Sequence, residues 1–255
     1  MPKDTTRVIV FGSGNVATSL GRAWESSGVV IAGFCNRAGV VPPGFISTKA
    51  PCFKKASEID VIADYALIAI RDDVIFPMID QLPQHLTPIH FSGAQPNPRK
   101  GGVIWCAQSV QPNNPGDVQN IPMIVTSNEE AIGEKLIAFA KRISSHVLLT
   151  TEENRQKGHL IAVFAVNFTN HALAVAHELS EQAGIPWDWF VPMIDAMSKG
   201  AMDGKAYERQ TGPGLRGDDA IISSQLKALK AHPTLQELYK ATTASIQNLH
   251  DKPKT

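Results

Sequence analysis

Residues 7–17 read Arg7-Val8-Ile9-Val10-Phe11 and then Gly12-Ser13-Gly14-Asn15-Val16-Ala17. A β-branched apolar run that breaks at two closely spaced glycines and reopens as an amphipathic pattern predicts strand, tight turn and helix. Gly12 permits the turn. Gly14 has no side chain, so a diphosphate can approach the backbone, and Ala17 is small enough for close helix–strand packing. The helix N-terminus then offers free amides and a positive dipole end to an anion. This segment predicts a dinucleotide site built from Gly12, Ser13, Gly14, Asn15 and Val16.

The helix carries Val16, Leu20 and Trp24 on one face and ends at Gly28. Next comes Val29-Val30-Ile31-Ala32-Gly33-Phe34-Cys35, apolar throughout, like a strand buried on both faces. It ends in Asn36-Arg37. An acidic residue at this point, roughly 20 residues past the glycines, would hold the ribose 2′-hydroxyl of NAD. None stands here. Asn36 does not repel a phosphate, and Arg37 is suited to grip a 2′-phosphate and lie over the adenine. The pair favours NADP over NAD. The bland reading of Arg37 is a solvated loop residue.

A chain of 255 residues holds one large or two modest domains. Lys+Arg and Asp+Glu are both 24, and no basic run appears, which argues against nucleic acid as partner. Apolar stretches such as Tyr65 to Ile70 fall far below the ~20 residues of a membrane span. Met1-Pro2-Lys3-Asp4 lacks the apolar core of a signal peptide. Cys35, Cys52 and Cys106 form neither a Cys-x-x-Cys pair nor a zinc pattern. A cytoplasmic chain with reduced thiols, no membrane contact and no metal is expected.

Further strands are predicted at Tyr65–Ile70, Pro88–Phe91, Val103–Cys106, Pro122–Thr126 and His146–Leu149, with a helix over 129–144 between the last two. Such alternation implies a parallel, doubly wound α/β sheet, a Rossmann domain over residues 1–150. Residues 151–255 read as an all-helical domain. Its first helix, from Glu152 to about Ala183, is long and nearly apolar all round at Leu160–Phe168, so burial on most sides is expected. Gly184-Ile185-Pro186 stops it. Helices near 189–200, 221–230 and 234–249 follow.

Ligands of a doubly wound sheet sit at the carboxyl ends of its strands. Arg71-Asp72-Asp73 lies at one such end. Arg71 is a candidate for the cofactor phosphates, and Asp73 for a helix cap. Ser92-Gly93-Ala94 lies at another and offers a hydroxyl and bare amides to a substrate oxygen. Ser109-Val110-Gln111-Pro112 is a weaker third. The long helix carries His159, Asn167, Asn170 and His171 inside its apolar body. At 100° per residue Asn170 lies about 20° and Asn167 about 80° from His159, with roughly 12 Å of rise between His159 and Asn167. Buried polar groups of this kind need partners or a function. Thr211-Gly212-Pro213-Gly214-Leu215-Arg216-Gly217-Asp218 reads as a shaped loop rather than a helix. It presents Thr211, Arg216 and Asp218, and Arg216 is suited to a carboxylate or phosphate.

Four segments together carry a family resemblance: the glycine turn, Ser92-Gly93-Ala94, Gly158-His159-Leu160-Ile161-Ala162-Val163-Phe164-Ala165-Val166-Asn167-Phe168-Thr169-Asn170-His171, and Thr211 to Asp218. The chain resembles, over nearly its whole length, the bacterial Rossmann-like oxidoreductases whose C-terminal helical domain is of unknown function. These are relatives of the 6-phosphogluconate, 3-hydroxyisobutyrate and ketopantoate enzymes, of pyrroline-5-carboxylate reductase and of the deazaflavin-dependent NADP reductase. The resemblance implies NADP, a helical domain that often dimerises, and an active site between the domains. Ser92-Gly93-Ala94 is similar to the Ser-Gly-Gly that binds substrate in the hydroxyacid dehydrogenases of that group. Those enzymes also place a catalytic lysine four residues before an asparagine. Here Lys157 precedes Ile161, and Val163 precedes Asn167, which leaves His159 as the proton donor.

The expectation is an NADP-dependent oxidoreductase and homodimer acting on a C=O or C=N of a small anionic substrate. His159 and Asn167 are the catalytic candidates. Ser92, Gly93, Asn170, Thr211, Arg216 and Asp218 are the substrate candidates. Two rivals stay open: an NADP-binding regulator without turnover, and a reductase that passes hydride to a deazaflavin-type second cofactor.

Overall fold

The computed structural model describes residues 5–108 and 118–251. Ser109-Val110-Gln111-Pro112 therefore lies outside the described residues. The chain divides into two compact units, Met1–Ala172 and Leu173–Thr255.

The first unit is an eight-stranded sheet in the order β3-β2-β1-β4-β5-β6-β7-β8. Its strands are β1 (Arg7–Phe11), β2 (Val30–Cys35), β3 (Cys52–Phe53), β4 (Tyr65–Ile68), β5 (Thr87–His90), β6 (Gly102–Cys106), β7 (Met123–Ser127) and β8 (Val147–Leu149). The helices α1 (Asn15–Ser26), α2 (Ile75–Ile79) and α3 (Glu130–Ala140) connect them. The period-2 alternation of β1 decides the two cores. Val8 and Val10 join Leu20, Trp24, Leu136 and Phe139 on one face. Ile9 and Phe11 join Ala66, Ile68 and Ile75 on the other. Trp24 ties α1 to α3: its ring stacks on Phe139 at 4.5 Å, and its indole N–H donates to the Phe139 carbonyl at 3.0 Å.

The sheet is not wholly parallel as the alternation suggested, because β7 runs antiparallel to β6. Among the described residues the link between them holds only a 3-10 turn, Val118–Asn120. A parallel neighbour would require a crossover connection, which an antiparallel one does not. The two-residue strand β3, too short to leave a pattern, also went unforeseen.

The long helix forms over Glu152–Ala183. Its parts are α4 (Glu152–Ala162), a π turn (Val163–Phe168) and α5 (Thr169–Ala183). Thr151 caps it by accepting the Asn154 amide at 3.2 Å. The boundary between the units falls inside this helix rather than at residue 150, because α4 packs on the sheet: Gly158 lies against Trp105 and Ile124. The expected burial is overturned. Leu160, Ile161, Phe164 and Phe168 are each more than half exposed. An apolar pattern shows what must be covered, not that the same chain covers it. By length and composition the helix is long and apolar enough to cross a membrane, with mean hydropathy 1.4 and none of that window buried. Polar residues punctuate this helix, so its apolar character does not show as one continuous run in the sequence.

The second unit continues α5 and adds α6 (Val191–Ala201), α7 (Pro213–Arg216), α8 (Asp219–Ala228) and α9 (Pro233–His250). The glycine-rich segment is not all loop. Pro213–Arg216 closes one helical turn, with Pro213 in the first turn, where its missing N–H costs nothing. Gly214 seats that turn on α9, where a Cβ would stand 3.5 Å from Thr243.

Candidate functional site

The glycine turn locks β1 between its neighbours. The Gly12 amide donates to the Cys35 carbonyl at 2.9 Å, and the Ala69 amide donates to the Phe11 carbonyl at 3.0 Å. Gly12 has φ +102°, and a Cβ there would overlap the Ala69 carbonyl oxygen. Gly14 differs: a Cβ built on it meets nothing within 4 Å. It stands at the N-cap of α1 with no side-chain cap and no acidic residue in the first turn. Ser13, Gly14 and Asn15 are exposed and Val16 half-exposed. The arrangement is open backbone at a helix N-terminus, which suits a diphosphate.

At the end of β2, Asn36 takes a part the sequence did not indicate. Its side-chain amide donates to the Val40 carbonyl at 2.9 Å and to Cys52 Sγ at 3.4 Å, and its Oδ1 accepts the Gly39 amide at 3.0 Å. This amide is engaged within the protein, so Asn36 shapes the loop rather than offering donors from it. Arg37 rides on that loop, exposed, with no hydrogen bond or ion pair among the described residues. Arg71 forms a bidentate pair with Asp73, at 3.1 and 2.9 Å, on open surface. Asp73 is thus an ion-pair partner and not the helix cap expected.

Ser92 closes the turn after β5. Its hydroxyl donates to Asp72 Oδ2 at 2.7 Å and accepts the amides of Ala94 and Gln95 at 3.2 and 3.1 Å. That hydroxyl already has three partners, and the donor expected for a substrate oxygen is committed to Asp72. Beneath it lies Arg155, fully buried. Its Nε donates to Thr126 Oγ1 at 3.1 Å, Nη1 to the carbonyls of Ser92 and Gly93 at 2.9 and 2.6 Å, and Nη2 to the carbonyl of Gln95 at 2.6 Å. The Glu152 carboxylate is the nearby countercharge, and it accepts the Asn97 amide. Sequence reasoning missed Arg155. The available signal was its spacing: it stands four residues before His159, on the same helix face.

His159 is brought to this turn. A Cβ on Gly93 would stand 2.5 Å from His159 Cδ2 and 2.9 Å from Trp105 Cε2, so only glycine admits the imidazole here. Trp105 meets the His159 ring edge to face at 5.7 Å. His159, Gly93, Ser92 and Trp105 form one cluster. Asn167, Asn170 and His171 are exposed, and Asn167 lies inside the π turn. A π turn advances fewer degrees per residue than the α-helix, so the angles computed from 100° do not hold across it. The Thr169 hydroxyl bonds the Phe164 carbonyl at 3.2 Å within this widened turn. Thr211 and Arg216 are exposed in the second unit. Asp218 stands at the N-cap of α8 without a side-chain cap bond.

His90, under the same turn, is fully buried. Its Nδ1 accepts the Ser92 amide at 3.3 Å, so the proton sits on Nε2 and is given to the Pro96 carbonyl at 2.8 Å. Burial, aided by the Arg155 charge, pushes its pKa down to about 4, against the opposing pull of the Pro96 carbonyl and of Asp72 and Glu152. The unfolded chain binds this proton near pH 6.5. Between pH 6.5 and 4 the unfolded state therefore carries more protons, and stability falls as pH drops through that window. The full loss is about 3 kcal/mol. Urea melts from pH 7.5 to 4.5 should show this slope in the wild type and a shallower one in His90→Gln. Equal slopes would remove His90 as the group responsible.

Residues 121–246 match the family model described as Domain of unknown function (DUF2520). No protein with a curated description matches the chain. A candidate NADP oxidoreductase of Bacteroides fragilis superposes with TM-score 0.79 at 25% identity, over 96% of this chain and 98% of that one. A Thermotoga maritima protein gives TM-score 0.69 at 14% identity, over 96% and 98%. An imine reductase of Myxococcus stipitatus, crystallised with NADP+, gives 0.68 at 12%, over 95% and 93%. The last two speak to fold alone. Fold and glycine turn place the first unit in the Rossmann-type class. The stretch that matches the DUF2520 model runs from the residues just before β7 into α9.

Proposed function

We propose that this chain is a cytoplasmic NADP-dependent oxidoreductase, moving hydride between nicotinamide and a C=O or C=N of a small, anionic substrate. The observation that carries the reading is the pairing of two features of the first unit. One is the open, uncapped backbone at Gly14–Val16. The other is Arg37 at the end of β2, without a partner among the described residues, where an NAD enzyme would place a carboxylate. The fit is good: a Cβ-free approach for the diphosphate, and a free guanidinium for a 2′-phosphate. Gly12, Ser13, Gly14, Asn15 and Val16 would hold the diphosphate and Arg37 the 2′-phosphate. When bound, the nicotinamide supplies or accepts the hydride.

The chain's own residues do the rest. His159, pressed between Gly93 and Trp105, gives or takes the proton that accompanies hydride transfer. Arg155 and Asp72 hold the Ser92–Gln95 turn in one shape, and through it the imidazole. Asn167 and Asn170 orient substrate from the helix. The kinship with a candidate NADP oxidoreductase supports this reading. The exposed apolar face at Leu160, Phe164 and Phe168 fits a homodimer. A monomer mass by light scattering would overturn that assignment.

The test is calorimetric titration with NADPH and NADH, on wild type and Arg37→Ala. NADPH should bind the wild type tightly and NADH weakly, and Arg37→Ala should lose about tenfold in NADPH affinity alone. A screen of keto acids and cyclic imines for NADPH oxidation then follows. Failure to bind either nucleotide would sink the oxidoreductase reading. Binding without oxidation of any substrate, in wild type and His159→Ala alike, would favour a regulator.

A further inference from the structure

Against the loop that bears Arg37 rests a second cation that the mechanism above does not use. β3 pairs with β2 in parallel, Phe34 opposite Cys52 and Cys35 opposite Phe53. The Asn36 amide donates to the Phe53 carbonyl at 3.0 Å, so the residue after Phe53 emerges beside the Asn36–Val40 loop. That residue is Lys54. Gly39 has φ +65°, and a Cβ there would stand 2.8 Å from Lys54 Cε and 3.0 Å from Cγ. The lysine stem thus lies across the one glycine of the loop that bears Arg37, and its ammonium, one bond beyond Cε, stands at that loop. Lys54 is exposed and has no ion-pair partner among the described residues. Glu58, four residues on, turns its Oε2 to the backbone amides of Lys54 and Lys55, at 3.1 and 3.2 Å. Val40, on the same loop, exposes an apolar side chain.

We propose that Lys54 is a second ligand of the 2′-phosphate, acting with Arg37 across the end of β2, and that Gly39 is the residue that lets it reach there. This rests on the NADP reading and deepens it. Two cations without ion-pair partners among the described residues, one a planar fork and one a mobile point charge, suit a doubly charged phosphate monoester and have no counterpart group on the ribose of NADH. The seat on Gly39 narrows the positions open to a long side chain, which lowers the ordering cost of binding.

The test is direct binding of NADPH and NADH to wild type, Lys54→Met, Lys54→Arg and Gly39→Ala, with no substrate present. Lys54→Met keeps the stem and removes the charge. It should weaken NADPH about tenfold, leave NADH within twofold, and be largely restored in Lys54→Arg. Gly39→Ala should weaken NADPH in the same direction by displacing the stem. A wild type that prefers NADPH while Lys54→Met retains the whole preference overturns the role of Lys54 and leaves the NADP reading standing. A wild type that binds both nucleotides equally, or neither, overturns both.

Discussion

Replacing Arg155 by alanine is expected to lower unfolding stability by about 3–5 kcal/mol, read as a fall in the urea midpoint. The guanidinium is fully buried and serves four acceptors: three carbonyls of the Ser92–Gln95 turn and the Thr126 hydroxyl. Removing it strands those carbonyls away from water, each at about 1–3 kcal/mol, and leaves a cavity under α4. Desolvation draws the guanidinium pKa down, which marks how little water reaches it. Arg155→Lys should rescue only a part, because a single ammonium lacks the fork that spans the acceptors. His159 approaches the same turn, so both variants should also disturb whatever His159 does. A loss below about 1 kcal/mol in Arg155→Ala would show that the turn relaxes without its clamp.

Gly12→Ala and Gly14→Ala should separate cleanly, although the two residues stand one apart in the same turn. Alanine at Gly12 must adopt φ +102° and places its methyl on the Ala69 carbonyl, so a loss of at least about 3 kcal/mol is expected. Gly14 is N-cap with extended backbone, φ −79° and ψ −176°, which alanine adopts readily, and its Cβ position is open. Gly14→Ala should melt within about 1 kcal/mol of wild type and lose at least about tenfold in NADPH affinity, since the methyl occupies the approach of the diphosphate. Thermal melts and calorimetry on both variants check this. Full NADPH affinity in Gly14→Ala would place the diphosphate elsewhere.

The contrast between these two glycines also shows what was readable in the chain. The Ala69 carbonyl that forbids a side chain at Gly12 comes from the end of β4, distant in sequence, whereas the turn at Gly12 and the helix start after Gly14 follow from local order along β1 and α1. The same holds for the strand that ends at Asn36-Arg37 and for the helices of the second half, whose 3.6-residue pattern and stop signals lie within a few residues of each other. The particular use of Asn36 did not follow, because its partners Val40 and Cys52 sit on a loop and on a two-residue strand that leave no periodic trace. The π turn at Val163–Phe168 was equally silent, since its residues look like any apolar helix.

Local pattern carried the strand–turn–helix start, the missing carboxylate after β2, the alternation that defines a Rossmann sheet and the change to helix near residue 150. Only the tertiary structure decided the direction of β7, the clamp of Arg155 on the Ser92 turn, the meeting of His159 with Gly93 and Trp105, and the exposure of the Leu160–Phe168 face. The physical reason is range. Propensity, capping and turn chemistry act over a few residues, whereas a buried guanidinium finds its acceptors some 60 positions away along the chain.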